Sequence, residues 1–262
     1  MELIVVGCSG SVSGPQSPAS SYLVQAPYEG RTFSLVLDLG PGAFGALYNY
    51  LDPSAVDAIA LSHLHPDHCL DVCAYYVAAR YSPTARWPGI PLYGPCGTGQ
   101  RLARAYDVPT IDGAADDPGH GLLHHFDHRE WGTVQSIGPF EVRAVQVEHP
   151  VEAFALRIEE RAGSGSLVYS GDTGPCPALT ELAAGADLLL AESAFLDRGG
   201  NRPALHLSGR DAAEAGAAAG VGTLILTHIP PWHVPAEVLA EAVPHFDGPI
   251  ELAHPGARWT IG

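Results

Sequence analysis

Lysine is absent from this sequence of 262 residues, so all 13 basic residues are arginines. Aspartate and glutamate together number 29, which gives a formal net charge of −16 at pH 7. Proteins hold nucleic acids mainly by neutralising phosphates with Lys and Arg. The chain has no basic run that could offset its acidity, so we expect no nucleic-acid partner.

Long apolar runs are also lacking, and none approaches the ~20 residues that a membrane-spanning helix needs. The opening MELIVVGCSGS has neither the basic region nor the long apolar region of a secretory signal. The five cysteines form no C-x-x-C pair, and their odd number favours reduced thiols over disulfides. These features predict a soluble, cytoplasmic protein with no membrane partner.

Short apolar segments punctuated by Gly and Pro predict a chain rich in strands, with helices between them. The last third alternates between predicted helices and strands, and a longer helix is predicted over 66–80. No repeat and no long linker divides the chain, so we predict one domain over 1–262. The pattern favours an α/β fold, a four-layer αββα sandwich of two mixed sheets packed face to face.

The strongest chemical signal is the segment from Ser62 to His68, which reads SHLHPDH. It follows a predicted strand at 59–61 and leads into the predicted helix. On an extended segment His63 and His65 point the same way, and Asp67 and His68 then turn with the start of the helix. Imidazoles and a carboxylate crowded at one strand end predict a site for two adjacent metals.

This H-x-H-x-D-H motif resembles the signature of the metallo-β-lactamase superfamily. The resemblance continues at three later strand ends, in Val147-Glu148-His149-Pro150, Ser170-Gly171-Asp172-Thr173 and Leu226-Thr227-His228-Ile229. It implies that one metal binds His63, His65, His149 and Asp172, and that the other binds Asp67, His68, Asp172 and His228. Such ligands suit two divalent metal ions, Zn²⁺ first, with Mn²⁺ or Fe²⁺ as alternatives.

Two further motifs resemble the ribonuclease Z-like phosphodiesterases of this superfamily. They are Ala191-Glu192-Ser193-Ala194-Phe195 and His206-Leu207-Ser208. The resemblance implies that His206 faces the leaving group and that Glu192 orients it. The opening Gly7–Val12, the segment Ser17–Ser20 and the segment Leu226–Trp232 resemble actinobacterial phosphodiesterases that degrade cyclic nucleotides.

The function expected from these resemblances is hydrolysis of cyclic AMP to 5′-AMP by a hydroxide that two metals activate. Asp67 is expected to ligate a metal and to hold or deprotonate the attacking water, and His206 to protonate the leaving oxygen. Three alternatives stay open: cleavage of RNA 3′ ends as by ribonuclease Z, hydrolysis of a lactone, thioester or β-lactam, and a non-catalytic metal-bound scaffold. The expected partner is a small nucleotide, and related phosphodiesterases favour a homodimer.

Substrate size is indicated by the interval between His149 and Asp172. Ribonuclease Z enzymes extend a long arm from this region to hold tRNA, whereas the interval here has room only for a strand pair. The histidines of a second group, His120, His124, His125 and His128, are interpreted as surface residues in a loop and a following helix. Cys69 is interpreted as a small buried residue.

Overall fold

The computed structural model describes residues 1–83, 86–107, 120–197 and 205–262. Its strands form two seven-stranded sheets. The first sheet has the order β14-β1-β2-β3-β4-β5-β6, with strands Arg258–Thr260, Glu2–Gly7, Ser21–Tyr28, Arg31–Leu37, Ala58–Ala60, Pro91–Gly94 and Asp127–Glu130. The second has the order β13-β12-β11-β10-β9-β8-β7, with strands Ile250–Leu252, Thr223–Thr227, Leu188–Glu192, Ser166–Tyr169, Phe154–Glu160, Phe140–Gln146 and Val134–Ile137.

Helices cover the outer face of each sheet. The helices on the first sheet are α1 (Ala43–Leu47), α2 (Pro66–Cys69), α3 (Asp71–Tyr81), α4 (Thr98–Ala105) and α5 (His120–His125). Those on the second sheet are α6 (Pro177–Ala183), α7 (Gly209–Ala219) and α8 (Pro235–Ala242). None of the helices in the described part of the chain is long and apolar enough to cross a bilayer.

Alternation along the strands explains why the sheets stack as layers. On β2, Tyr22 and Val24 enter the core between the sheets, whereas Leu23 enters the core beneath the helices of the first sheet. Because the side chains of a strand point alternately to its two faces, a strand of apolar residues contributes side chains to two hydrophobic cores. The predicted four-layer αββα sandwich is confirmed.

The functional edge of the molecule is where parallel strands of both sheets end. β4 runs parallel to β3 and β5, and β10, β11 and β12 run parallel to one another. Polar residues that follow these strands therefore meet at one side of the sandwich. Two backbone contacts connect the sheets at this edge. One is an isolated β-bridge between His63 and Ala153, and the other is a hydrogen bond of 3.0 Å from the Phe154 N–H to the Ser62 carbonyl.

The predicted helix over 66–80 is two helices, because the backbone of Leu39 interrupts it. The N–H of Leu39 donates to the carbonyl of His68 at 2.8 Å, and the N–H of Asp71 donates to the carbonyl of Leu39 at 3.0 Å. A strand-end residue thus takes the hydrogen bonds that would have continued the helix. Asp67 and His68 of the metal motif therefore belong to the short helix α2 and not to the longer helix α3.

The strands β5, β6, β7, β13 and β14 were not predicted, because each has only three or four residues and several are rich in Pro or charge. The second histidine group is partly as predicted. His124 and His128 are exposed, but His128 lies on strand β6 and not on a helix, and His125 is partly buried against Tyr76. The stretch over 113–121 is rich in Gly, Ala and Asp, a composition that predicts a surface loop, and most of it lies outside the described residues.

Candidate metal centre

Strand β4 and helix α2 position the first four polar side chains of the centre. His65 is the N-cap of α2 in an extended conformation, and Pro66 occupies the first helical turn. Proline fits there because its missing N–H has no intrahelical acceptor and its φ is preset for the helix. His63 and His65 therefore leave an extended segment, whereas Asp67 and His68 belong to the helix, as the sequence predicted.

The other ligands come from the second sheet, after β8, β10 and β12. Asp172 follows Gly171, whose φ is +57°, and His228 itself has a φ of +55°. Left-handed backbone is rare for residues other than glycine, and it is concentrated at functional sites. These two turns direct Asp172 and His228 back toward the His63–His68 segment of the first sheet.

A first group consists of His63, His65, His149 and Asp172. Nδ1 of His65 lies 3.1 Å from Nε2 of His63 and 3.1 Å from Nε2 of His149. Oδ2 of Asp172 lies 3.7 Å from Nε2 of His63. Three ring nitrogens and a carboxylate oxygen thus surround one point.

A second group consists of Asp67, His68, Asp172 and His228, and all four are buried. Nε2 of His68 lies 3.2 Å from Oδ1 of Asp172, and Nε2 of His228 lies 3.3 Å from its Oδ2. Oδ2 of Asp67 lies 3.5 Å from the His68 nitrogen and 3.7 Å from the His228 nitrogen. Asp172 is common to both groups, so the two points lie side by side.

The donor atoms fit two divalent metal ions. Nε2 of His68 and Oδ1 of Asp172 lie close together but do not form a hydrogen bond, and neither atom has another hydrogen-bond partner among the described residues. Buried polar atoms without a partner are rare and call for an ion or a similar cause. Ligand nitrogens around a tetrahedral zinc, about 2.0–2.1 Å from the metal, lie about 3.3 Å apart. The 3.1 Å separations at His65 are close to that spacing.

Burial and local charge set the protonation of these groups. Burial lowers the pKa of His63 well below its ordinary value and that of His149 to about 4. Burial opposes ionisation of Asp172, but His228, His68 and His63 outweigh it and hold the pKa of this carboxyl well below its usual range. Neutral imidazole and ionised carboxylate are the forms that bind metals.

Nearly every ligating imidazole is held from behind through its other nitrogen. Nδ1 of His63 lies 3.0 Å from the Ser62 hydroxyl, Nδ1 of His149 lies 3.0 Å from the Leu205 carbonyl, and Nδ1 of His228 lies 2.8 Å from the Ser20 hydroxyl. Such contacts fix the tautomer and the orientation of the ring.

His68 has the strongest support, from Asp38, a residue that the sequence analysis did not single out. The buried Asp38 carboxylate accepts from Nδ1 of His68 at 2.7 Å, from the N–H and hydroxyl of Ser62, both at 2.7 Å, and from the Tyr169 hydroxyl at 2.7 Å. Burial lowers the pKa of His68, but the charges of Asp172 and Asp38 outweigh it and raise that pKa well above its ordinary value, so a metal that binds at Nε2 would displace a proton from this ring. Asp38 therefore keeps the His68 ring fixed with its Nε2 toward the metals.

Beside the second metal group lies the pair predicted from the ribonuclease Z-like motifs. Nδ1 of His206 donates to Oε1 of Glu192 at 2.8 Å. The N–H groups of Thr173 and Ala194 also donate to the Glu192 carboxylate, both at 3.0 Å. Burial alone lowers the pKa of His206, but the hydrogen bond and charge of Glu192 raise it. The Glu192 side chain is fully buried, whereas 12% of the His206 side chain is exposed.

The structure thus brings together all seven predicted metal-binding residues and places the predicted catalytic pair against them. Cys69 is buried, and burial raises the pKa of its thiol to about 12, so a thiolate ligand is disfavoured. The described residues of the second histidine group belong to neither metal group.

A model of the beta-lactamase superfamily domain matches residues 35–229, and the chain belongs to the metallo-β-lactamase superfamily. With this fold and this cluster, it is a metallo-hydrolase. It is 44% identical to an uncharacterized protein of Mycobacterium leprae (strain TN), over 100% of this chain and 89% of that protein.

Two more distant relatives have names that state an activity. YhfI of Bacillus subtilis (strain 168), named a probable metallo-hydrolase, is 27% identical over 99% of both chains. The crystal structure of YhfI superposes with a TM-score of 0.82 at 26% identity, covering 99% of each chain. Ribonuclease Z of Mycolicibacterium paratuberculosis (strain ATCC BAA-968 / K-10) is 29% identical, over 96% of this chain and 95% of that protein.

Metal content tests the ligand set. We expect two metal ions per chain, one for each group, and we expect His63→Ala to lose metal and activity together because its nitrogen is central to the first group. Elemental analysis by mass spectrometry and turnover of bis(p-nitrophenyl) phosphate measure both. The control is His124→Ala, at an exposed position outside both groups. Loss of metal from the control and not from His63→Ala would refute the assignment.

The support given by Asp38 can be tested separately. Asp38→Asn preserves the shape of the side chain but turns one acceptor oxygen into a donor, so the contacts to His68, Ser62 and Tyr169 are no longer all satisfied. We expect metal affinity, measured by competition with a chelator, to fall by about 10–100-fold. Asp127→Asn is the control, because Asp127 is exposed and pairs with Arg129. An unchanged affinity in Asp38→Asn would show that the ring of His68 needs no such support.

Proposed function

We propose that the chain is a metal-dependent phosphodiesterase that hydrolyses cyclic AMP to 5′-AMP. The observation that carries this proposal is the position of the Glu192–His206 pair. Nδ1 of His206 lies 3.8 Å from Oδ2 of Asp172, the carboxylate common to both metal groups. A side chain that can hold a proton therefore stands beside the point where a metal-bound phosphodiester would react.

The reaction needs that proton because a ribose 3′-oxygen is a poor leaving group. With Nδ1 committed to Glu192, Nε2 of His206 is the atom that can carry the proton to the departing oxygen. Glu192 stabilises the protonated ring, and its own position is fixed by the N–H groups of Thr173 and Ala194. This arrangement suits an alkoxide leaving group, and it supports a phosphodiester substrate over a lactone, thioester or β-lactam.

On the other side of the centre, Asp67 is placed to hold the attacking water. Its carboxylate is mostly buried beside His68 and His228, and the charges of these neighbours keep its pKa below the usual range against the effect of burial. An ionised Asp67 can accept a hydrogen bond from water or take its proton. When bound, the two metals supply a lowered pKa for that water and neutralise charge on the phosphoryl oxygens.

Charge and topology support a small substrate. A net charge of −16 without lysine disfavours a long polyanion, because each phosphate contact needs a nearby cation. Between His149 and Asp172 the chain forms only β9, a turn over 161–165, and β10, which leaves no arm for tRNA. A single phosphodiester needs little beyond the local field of the metals. Assembly as a homodimer stays a prediction.

The second candidate is RNA 3′-end cleavage, which the 29% identity to a ribonuclease Z favours. The same metals and the same proton donor would serve either reaction. The two candidates differ in what must bind outside the metal centre, so substrate comparison separates them.

The role of His206 is tested by substitution. His206→Ala should keep both metals, because His206 is in neither of the two four-residue groups and clusters only with Asp172 and Glu192, but turnover of cyclic AMP should fall by about 10²–10⁴-fold. The loss should shrink with bis(p-nitrophenyl) phosphate, since p-nitrophenolate leaves without a proton. The control is His245→Ala, because His245 lies beside Glu214 of α7 and belongs to no metal group. Equal losses on both substrates would show that His206 is not the proton donor.

Substrate class is tested by the specificity constant for 3′,5′-cyclic AMP against that for a precursor tRNA, measured at moderate salt. We expect turnover of the cyclic nucleotide and little cleavage of the tRNA, because the chain offers few cations for a polyanion. A panel with 2′,3′-cyclic AMP and a lactone completes the comparison. Efficient tRNA cleavage without cyclic nucleotide turnover would contradict the proposal and favour the ribonuclease.

A further inference from the structure

A cavity of about 520 Å³ lies next to the metal centre and outside its ligand sets. Its lining comes from three stretches of the chain, within 8–17, 227–235 and 252–255. These include Cys8, Ser9 and Gly14 of the glycine-rich opening loop and Ile229, Pro230 and Pro231, which belong to two motifs that the metal chemistry does not use. The volume is within the range of about 300–1,000 Å³ that is typical of small-molecule sites.

The cavity adjoins the second metal group through His228. Ser9 forms a bridge with Ile229, and the Gly10 N–H donates to the Ile229 carbonyl at 3.2 Å. A Cβ on Gly10 would collide with the His228 carbonyl oxygen, so glycine is needed for this close approach. Thr227 and Ile229, the neighbours of His228, both line the cavity. The cavity and the second metal group therefore share the end of β12 and the opening loop that packs on it.

The lining suits a flat heterocycle with polar edges. Its walls are largely apolar and include five prolines, Pro15, Pro230, Pro231, Pro235 and Pro255. Polar side chains are a minority and are spread around the walls: Ser9, Gln16, Ser17, Thr227, His233 and His254. No Arg, Asp or Glu is among the described residues that line it. Such a lining would not hold a phosphate, but it can cover the faces of a base and contact its edge.

We propose that this cavity binds the base of the nucleotide while the phosphate lies at the metal centre. The proposal rests on the proposed function, because it assigns the cavity to the same substrate. The base and the phosphate of a small nucleotide are joined by one sugar, and the cavity and the second metal group meet at one short segment, in which Thr227 and Ile229 line the cavity and His228 belongs to the metal group. Affinity for the base then comes from burial in the cavity, and affinity for the phosphate comes from the metals.

Filling the cavity tests the assignment by binding, independently of turnover. A Cβ on Gly14 would lie 3.1 Å from Oγ of Ser9 and 3.2 Å from Cβ of Pro231, and all three residues line the cavity. Gly14→Leu therefore places apolar bulk at its wall. The matched control is Gly45→Leu on α1, where a Cβ would meet no atom within 4 Å. Calorimetric titration of the metal-loaded proteins with 5′-AMP and with ribose 5-phosphate separates base affinity from phosphate affinity.

We expect the native protein to bind 5′-AMP at least about tenfold more tightly than ribose 5-phosphate, as for apolar groups that enter a fitted pocket. Gly14→Leu should remove most of this advantage and leave ribose 5-phosphate binding and metal content unchanged, whereas Gly45→Leu should match the native protein. If Gly14→Leu loses its metals, Pro231→Ala, which only removes part of the wall, takes its place, and it should weaken 5′-AMP alone. Equal binding of the two ligands by the native protein, or an undiminished base advantage in the variant that retains its metals, would overturn the proposal.

The two proposals fail in different ways. Preferential binding of 5′-AMP without turnover of cyclic AMP would support the cavity as the site for the base and would contradict the proposed phosphodiesterase activity. Cyclic AMP turnover without any base advantage in binding would support the activity and remove the cavity from it.

Discussion

The buried carboxylate of Asp172 is the interaction on which the rest of the site depends. Two sheets deliver their strand ends to it, with His63 and His68 from one side and His228 from the other. An ionised carboxylate without water is costly unless positive groups or metals compensate it. The sandwich meets this demand by ending parallel strands of both sheets at the same edge, so that the two groups of candidate ligands have this carboxylate in common.

The same constraint explains the second layer of contacts. Imidazoles that converge around a carboxylate must present one nitrogen inward, and the outward nitrogens of four of them, His63, His68, His149 and His228, are occupied by the protein, most strongly at His68 by Asp38. Glu192 holds His206 in the same way, through Nδ1 of its ring. His206 lies at the same edge as the metal groups and is partly exposed. His206 shares this partial exposure with His65 and His149 of the first group, whereas all four members of the second group are buried.

The His63–His68 part of the site could be predicted because its chemistry is local: a strand end, a proline-started helix and adjacent ligands. Asp38 was missed because its partners Ser62, His68 and Tyr169 lie 24, 30 and 131 residues away. Its one local signal is a single acidic residue directly after the apolar strand β3, which lacks the neighbouring histidines that identified the metal motif. The break between α2 and α3 was missed for a similar reason. It is caused by hydrogen bonds to the backbone of Leu39, which is distant in sequence, and the spacing of apolar residues within a helix does not indicate such a contact. The layers, in contrast, follow from strand alternation and were predicted.

The most direct test of this account is a crystal structure of the protein with its metals, with anomalous scattering used to locate them. The account predicts two peaks, one among His63, His65 and His149 and the other among Asp67, His68 and His228, with an oxygen of Asp172 bound to each. A single metal, or a pair of metals without Asp172 between them, would contradict it.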